Sequence, residues 1–134
     1  MTYLLDTNIC IYGLKNKYPS LTQKLFQIHP DEIAVSAITV SELEYGAAKS
    51  KWNRQTSFRM HMFLSAFTIL PISQQDGVKA GQIRAFLEEQ GRIIGPYDIQ
   101  IAAQGVSRGL IVVTHNTKEF NRVPGICLED WVSI

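Results

Sequence analysis

The sequence predicts an α/β fold: a parallel sheet of about five short strands flanked by helices. Three observations carry that expectation. Short apolar runs recur along the chain, each closed by a polar or turn-forming residue. Segments with helical spacing of apolar residues separate them, the pattern of βαβ units joined by right-handed crossovers. One run, Leu110-Ile111-Val112-Val113, is apolar without alternation, as expected of a strand covered on both faces. A chain of 134 residues can bury a sizeable core. No linker, repeat or low-complexity stretch divides it, so residues 1–134 read as one domain.

Each element has its own local reason. Tyr3-Leu4-Leu5-Asp6 is the first strand. Asp6 or Thr7 caps a helix to about Asn16, with Ile9, Tyr12 and Leu14 among its buried candidates. Pro19 suits a first helical position, and Leu21, Leu25, Phe26 and Ile28 supply that helix's apolar face before His29-Pro30-Asp31 breaks it. Ile33–Ser36 is the second strand. Thr39 followed by Glu42 has the form of a capping box opening a helix that contains Leu43, Tyr45, Ala47 and Ala48. A basic stretch around Trp52 leads to a helix over about 55–66. Phe58, Met60, Met62, Phe63 and Leu64, with Phe67 just beyond, give this segment more than one apolar stripe, so it is buried on several sides or covers a partner. Thr68–Ile72 is the third strand. Ser73 or Asp76 starts a helix through Gln90, carrying Val78, Ile83, Phe86 and Leu87, with Gly91 just past its end. Pro96 opens a helix closed by Gly109. Leu110–Thr114 and Ile126–Leu128 are the last strands, with the polar exit His115-Asn116-Thr117 after the first of them.

Composition narrows the function. Hydrophobic residues make up 46% and charged residues 19%, which excludes a disordered or fibrous chain. The net charge of +1 argues against a purely electrostatic nucleic-acid binder, so any such contact rests on local basic groups such as Lys49, Lys51, Arg54, Arg84, Arg92, Lys118 and Arg122. Cys10 and Cys127 match no disulfide framework or zinc spacing and are expected to be buried, reduced thiols. Neither a signal peptide nor a membrane-spanning apolar run is visible, which makes a cytoplasmic setting the expectation.

Three acids stand out. Asp6 ends the first strand, Glu42 lies in the first turn after the second, and Asp98 follows Pro96 in another first turn. Each has a plain reading as a cap or as a partner of the helix dipole. Together they have another. Strand exits and the helix starts that follow them share one edge of a parallel sheet, where ligands collect at the reversal of strand order. Carboxylates crowded there repel one another, and a divalent cation relieves the repulsion. All-oxygen ligation favours Mg²⁺, with Mn²⁺ as a substitute, over zinc. Such a site can activate water and neutralise a phosphodiester during cleavage. Asn116, on the same edge, is placed to hold a water of the ion, and Glu119 to add a fourth acid. Thr7, Asn8, Thr114, His115 and Tyr97 are candidates to touch substrate, Tyr97 by stacking on an unpaired base. Trp52, Phe58, Met62 and Phe63 are candidates for a partner surface.

Four segments carry a resemblance. Leu4-Leu5-Asp6-Thr7-Asn8, Ile38–Gly46, Ile94-Gly95-Pro96-Tyr97-Asp98 with Ile101-Ala102-Ala103, and Val113–Phe120 with Val123-Pro124-Gly125 resemble, in order, the motifs of the PIN-domain ribonucleases. The likeness spans essentially the whole chain and is nearest to the VapC toxins of bacterial toxin–antitoxin pairs. It implies a Mg²⁺-dependent endoribonuclease, a homodimer or toxin–antitoxin hetero-oligomer, held inactive by a cognate antitoxin. Its implied substrate is a transfer RNA, with the anticodon loop of the initiator as a candidate. It places metal and catalytic roles on Asp6, Glu42 and Asp98. Many relatives have Asp where this chain has Asn116, which leaves Asn116 and Glu119 as alternatives for completing the site. Two rival functions are a phosphatase or receiver-like domain using Asp6 as nucleophile, and a binding module whose acids are only caps. The first lacks the second acid expected two residues on, where Asn8 stands.

Overall fold

The computed structural model describes residues 1–50 and 54–132. Its strands are β1 (Tyr3–Leu5), β2 (Ile33–Ser36), β3 (Thr68–Leu70), β4 (Ile111–Val113) and β5 (Cys127–Glu129). They form one sheet in the order β3-β2-β1-β4-β5, and every pairing is parallel. The chain leaves β1 first toward β2 and β3, then returns to β1's other side for β4 and β5. Strand order therefore reverses between β1 and β4, and the crevice of such a sheet lies beyond the carboxyl ends of that pair.

The helices are α1 (Thr7–Leu14), α2 (Pro19–Gln27), α3 (Ala37–Ser50), α4 (Arg54–Ser65), α5 (Gln74–Glu89), α6 (Pro96–Arg108) and α7 (Thr117–Phe120), with a 3₁₀ turn at Pro30–Glu32. They cover both sheet faces. Leu4, Ala34 and Val112 point to one side, where they meet Ala80, Ile83 and Leu87 of α5 and Ile99, Ala102 and Ala103 of α6. Leu5, Ile33, Val35 and Val113 point to the other, against Ile9 and Cys10 of α1, Leu21 of α2, Leu43 of α3 and Met60 and Leu64 of α4. Two buried faces explain why the strands read as continuous apolar runs. No helix among the described residues is long and apolar enough to cross a membrane.

Two contacts fix α6, the helix that carries Asp98. A Cβ placed on Gly105 would lie 2.4 Å from Val112 Cγ2, so the helix packs on β4 at a distance that only glycine permits. At its far end, buried Asp76 ties α5 to α6. Asp76 Oδ2 accepts from Arg108 Nη2 at 2.9 Å, Oδ1 accepts from the Ser107 hydroxyl, and Ser73 and Asp76 cap α5 reciprocally. Burial alone would raise the Asp76 carboxyl. The bonds from Arg108, Ser107 and Ser73 outweigh it and hold the group well below the usual carboxylate range.

Several expectations change. The Thr39–Glu42 pair does not cap α3, which begins at Ala37 directly after β2; there the Ile38 N–H donates to Ser36 Oγ at 3.0 Å. The polar exit after β4 includes the short helix α7, and the 30–32 break is a 3₁₀ turn. Val78 and Phe86 are exposed, because α6 covers only the Asp76–Ala80–Ile83–Leu87 stripe of α5. Cys10 is buried, but Cys127 is exposed, since β5 is an edge strand.

Gly105→Ala is expected to lower stability by about 1–3 kcal/mol in urea unfolding, the cost of overpacking a rigid contact. Asp76→Ala leaves Arg108 without its carboxylate and is expected to cost about 3 kcal/mol. The folded-state pKa of Asp76 is depressed, so its contribution is present above the unfolded carboxyl pKa of about 4 and disappears as pH falls below it. The wild-type advantage over Asp76→Ala should therefore shrink below pH 4.

Candidate active site

Asp6 stands where β1 and β4 part. Its N–H donates to Val113 O at 3.0 Å, continuing the strand pairing one residue past β1. Its extended backbone (φ −78°, ψ 172°) then turns the chain into α1, and Oδ1 accepts from the Ile9 N–H at 2.8 Å. The side chain is 3% exposed. Thr114, fully buried at the exit of β4, donates a second hydrogen bond to this carboxylate. Its Oγ1 in turn accepts from the Asn116 N–H at 2.9 Å. Asp6 therefore serves as the α1 cap and also faces the shared edge.

Glu42 lies nearly two turns into α3, not in its first turn. Thr7 Oγ1 donates to Glu42 Oε1 at 2.6 Å and lies 2.9 Å from Thr39 Oγ1. A hydroxyl has one hydrogen, so Thr7 gives its own to Glu42 and accepts from Thr39. The relay joins α1 to α3 and aims Glu42 toward the end of β1. Thr39, fully buried, belongs to the site's support and was overlooked as a cap. Its sequence signal is a small hydroxyl one helical turn before the acid.

Asp98 is the third residue of α6, half-buried above the cap residue Gly95, with Oδ2 3.6 Å from where a Gly95 Cβ would stand. Among the described residues its carboxylate has no hydrogen-bond or ion-pair partner. Glu119, on α7, accepts from Asn116 Nδ2 at 2.9 Å. Asn116 thus steers Glu119 with its side chain and touches Thr114 with its backbone.

These four acids act on one another. Burial pushes the Asp6 carboxyl up to about 6, bonds from Thr114 and Ile9 offset part of that rise, and the charges of Asp98 and Glu42 add to it. Asp98 is also raised, first by burial, then by Glu42 and Glu119. None of the four joins any ion pair among the described residues. Their charges are coupled, but among the described residues no three His, Cys, Asp or Glu side chains form a group that could hold a metal ion.

The other candidates divide by exposure. Asn8 and His115 are exposed, and Tyr97 is 55% exposed at the start of α6. Thr114, read from the sequence as a substrate contact, is fully buried and bonds Asp6, so it supports the acid instead of facing solvent. Thr7 commits its hydroxyl to Glu42. Glu44 points away, bonding His61 Nε2 at 2.6 Å. Phe58 (64%) and Met62 (56%) are exposed on α4, while half-buried Phe63 stacks edge-on against Phe67 at 5.1 Å and lies beneath that surface. Trp52 lies outside the described residues.

The model of the PIN domain matches residues 3–126. A tRNA(fMet)-specific endonuclease VapC of Shigella flexneri is 42% identical over 131 residues, covering 98% of both chains. Ribonuclease VapC2 of Rickettsia felis is 38% identical, again over 98% of both. This chain belongs to the PIN-domain family, among the VapC proteins. Solved structures agree: the DNA-bound VapBC of Salmonella typhimurium superposes with a TM-score of 0.91 at 41% identity, covering 98% of each chain. VapBC2 of Rickettsia felis on a promoter DNA fragment superposes with a TM-score of 0.90 at 37% identity, covering 98% of this chain and 99% of that one.

PIN-domain nucleases are generally divalent-metal dependent. The donor set of this PIN domain fits such an ion. It is all oxygen, and among the described residues the Asp98 carboxylate is unpartnered and no protein cation pairs with the four acids. The raised Asp6 also sets a sign. An acid whose folded pKa exceeds the unfolded value stabilises the fold below the unfolded pKa, and that contribution is lost as pH rises through the folded one. Metal-free Asp6→Asn is therefore expected to be more stable than wild type at pH 8 by about 1–3 kcal/mol. The difference should vanish near pH 4; urea unfolding at both pH values checks it.

Proposed function

We propose that this VapC-type PIN domain is an endoribonuclease toxin that uses Mg²⁺, with Mn²⁺ as a substitute, to cut a transfer RNA and stop translation. The initiator transfer RNA, cut in its anticodon loop, is the leading substrate, given that the Shigella flexneri relative is a tRNA(fMet)-specific endonuclease. A cognate antitoxin neutralises it, in keeping with the VapBC complexes it resembles. The observation that supports the reading is the mutual charge of Asp6, Glu42, Asp98 and Glu119, which no cation among the described residues pairs.

In this reading Asp6, Glu42 and Asp98 hold the ion. When bound, the ion supplies charge neutralisation at the scissile phosphate and activation of the attacking water. Thr7 keeps Glu42 turned inward through its 2.6 Å bond. Glu119, steadied by Asn116, orients the water and takes its proton. The phosphorus–O3′ bond breaks and O3′ takes a proton from solvent, leaving a 5′-phosphate and a 3′-hydroxyl. Asn8 and Tyr97 line the edge where the RNA lies. Exposed Phe58 and Met62 on α4 offer the apolar surface for the antitoxin or a second copy. The phosphoryl-transfer alternative is disfavoured, because Asp6 is buried and engaged by Ile9 and Thr114.

The test is cleavage of transfer RNA by purified, antitoxin-free protein. Wild type should cut with Mg²⁺ or Mn²⁺ and stop when the metal is chelated. Asp6→Asn, Glu42→Gln and Asp98→Asn should each slow cleavage by about 100-fold or more, whereas Asn116→Ala, which only steers another group, should cost about 10-fold. A wild type no faster than Asp98→Asn rejects the proposal.

A further inference from the structure

Beside the acidic edge stands a second cluster that the cleavage chemistry does not use. His115 directly follows Thr114, the partner of Asp6. Its Nδ1 lies 3.1 Å from Asp130 Oδ2, and Asp130 Oδ1 also accepts from the Val132 N–H at 2.9 Å. With Asp130 as acceptor the ring carries its hydrogen on Nδ1, and Nε2 is left for solvent or a ligand. The Tyr18 ring lies 6.2 Å from the His115 ring, and Tyr12 meets Tyr18 edge-on at 5.2 Å. Lys17 Nζ sits over both tyrosines, 5.0 Å from the Tyr12 centroid and 5.4 Å from that of Tyr18.

The backbone holds this group in place. Asn16 has φ 50°, the left-handed conformation that asparagine tolerates better than most residues. Around it the Lys17 N–H donates to Tyr12 O at 3.1 Å and the Asn16 N–H to Gly13 O at 3.2 Å, the paired bonds of a Schellman helix end. Ser20 Oγ then donates to Trp131 O at 2.9 Å, tying the start of α2 to the chain segment that carries Asp130. Lys17 and His115 are exposed and the tyrosines half-buried, so the cluster is pinned from below and open above.

We infer that Lys17, Tyr18 and His115 form a binding shelf for single-stranded RNA next to the cut, a positioning surface that rests on the nuclease reading above. The chemistry matches that ligand in three ways. Four carboxylates repel a polyanion, and Lys17 sets a cation, already ordered over two rings, at their flank. Tyr18 and His115 offer ring faces and edges to an unpaired base, a contact that tolerates any sequence. Nε2 of His115 accepts from a ribose 2′-hydroxyl, the group that distinguishes RNA from DNA.

The test measures cleavage kinetics on mixed bacterial transfer RNA, and binding of that RNA and of an oligouridine in the Asp98→Asn background. Lys17→Ala, Tyr18→Leu and His115→Ala are each expected to raise KM and Kd about fivefold or more, with kcat within about twofold. Lys17→Ala should also reduce the salt slope of log Kd by about 0.7. The conservative Lys17→Arg and Tyr18→Phe should restore binding, a result that a merely structural role would not give if thermal melting points are unchanged throughout. Lys24→Ala, on the outer side of α2, controls for the loss of one charge. Well-folded shelf variants that bind and cleave like wild type overturn the shelf while the nuclease reading stands. A wild type that neither binds nor cuts either RNA overturns both.

Discussion

Like charges held at one edge of a small parallel sheet are the constraint to which the surrounding structure responds. Asp6 is the deepest of them, and its carboxylate is tolerated because two donors, the Ile9 N–H and the Thr114 hydroxyl, replace part of its lost hydration. Those donors do not cancel the charge; they fix where it points. Thr39 and Thr7 do the same for Glu42, and Asn116 for Glu119. Each acid except Asp98 is aimed by a neutral partner, and neutral partners leave room for a cation from outside. Basic partners would have filled the site permanently, as Arg108 does for Asp76.

Asp76 and Asp6 are both nearly inaccessible, yet their carboxyls shift in opposite directions. Asp76 has a guanidinium, the Ser107 hydroxyl and the Ser73 backbone N–H, so its carboxyl falls well below the ordinary range, and it works as a staple between α5 and α6. Asp6 has no such counter-charge among its described ion pairs, and its carboxyl rises. One arrangement stores stability; the other holds an unfavourable charge that a bound ion would relieve. The rigid packing supports that difference. Gly105 lets α6, the helix that carries Asp98, pack closely on β4.

Legibility from sequence varied with the length scale of the signal. The strands were readable because burial on both sheet faces demands unbroken apolar runs, and all five stand within a residue or two of their expected places. The Thr39–Glu42 pattern misled, because a Thr followed three residues later by Glu satisfies a local capping rule wherever it occurs. Here Ser36 had already supplied the cap, and both side chains were free to turn toward Thr7. Helix α7 spans four residues, fewer than the periodicity needed to detect it. Thr114 reads as an exposed rim residue but is buried against Asp6, and no local rule encodes that burial.

What the sequence determined alone was the order of elements, the positions of the acids at strand exits and early helical turns, and the family likeness carried by four motifs in order. These follow from nearest-neighbour chemistry, such as apolar spacing, proline and glycine placement and carboxylates near helix starts. Only the tertiary structure decided which hydroxyl serves which acid, that Asp98 has no hydrogen-bond or ion-pair partner among the described residues, and that Lys17, Tyr18 and His115 meet across nearly a hundred residues of chain. Those outcomes depend on distances between segments remote in sequence, set by the reversal of strand order between β1 and β4, and a linear pattern carries no measure of such distances.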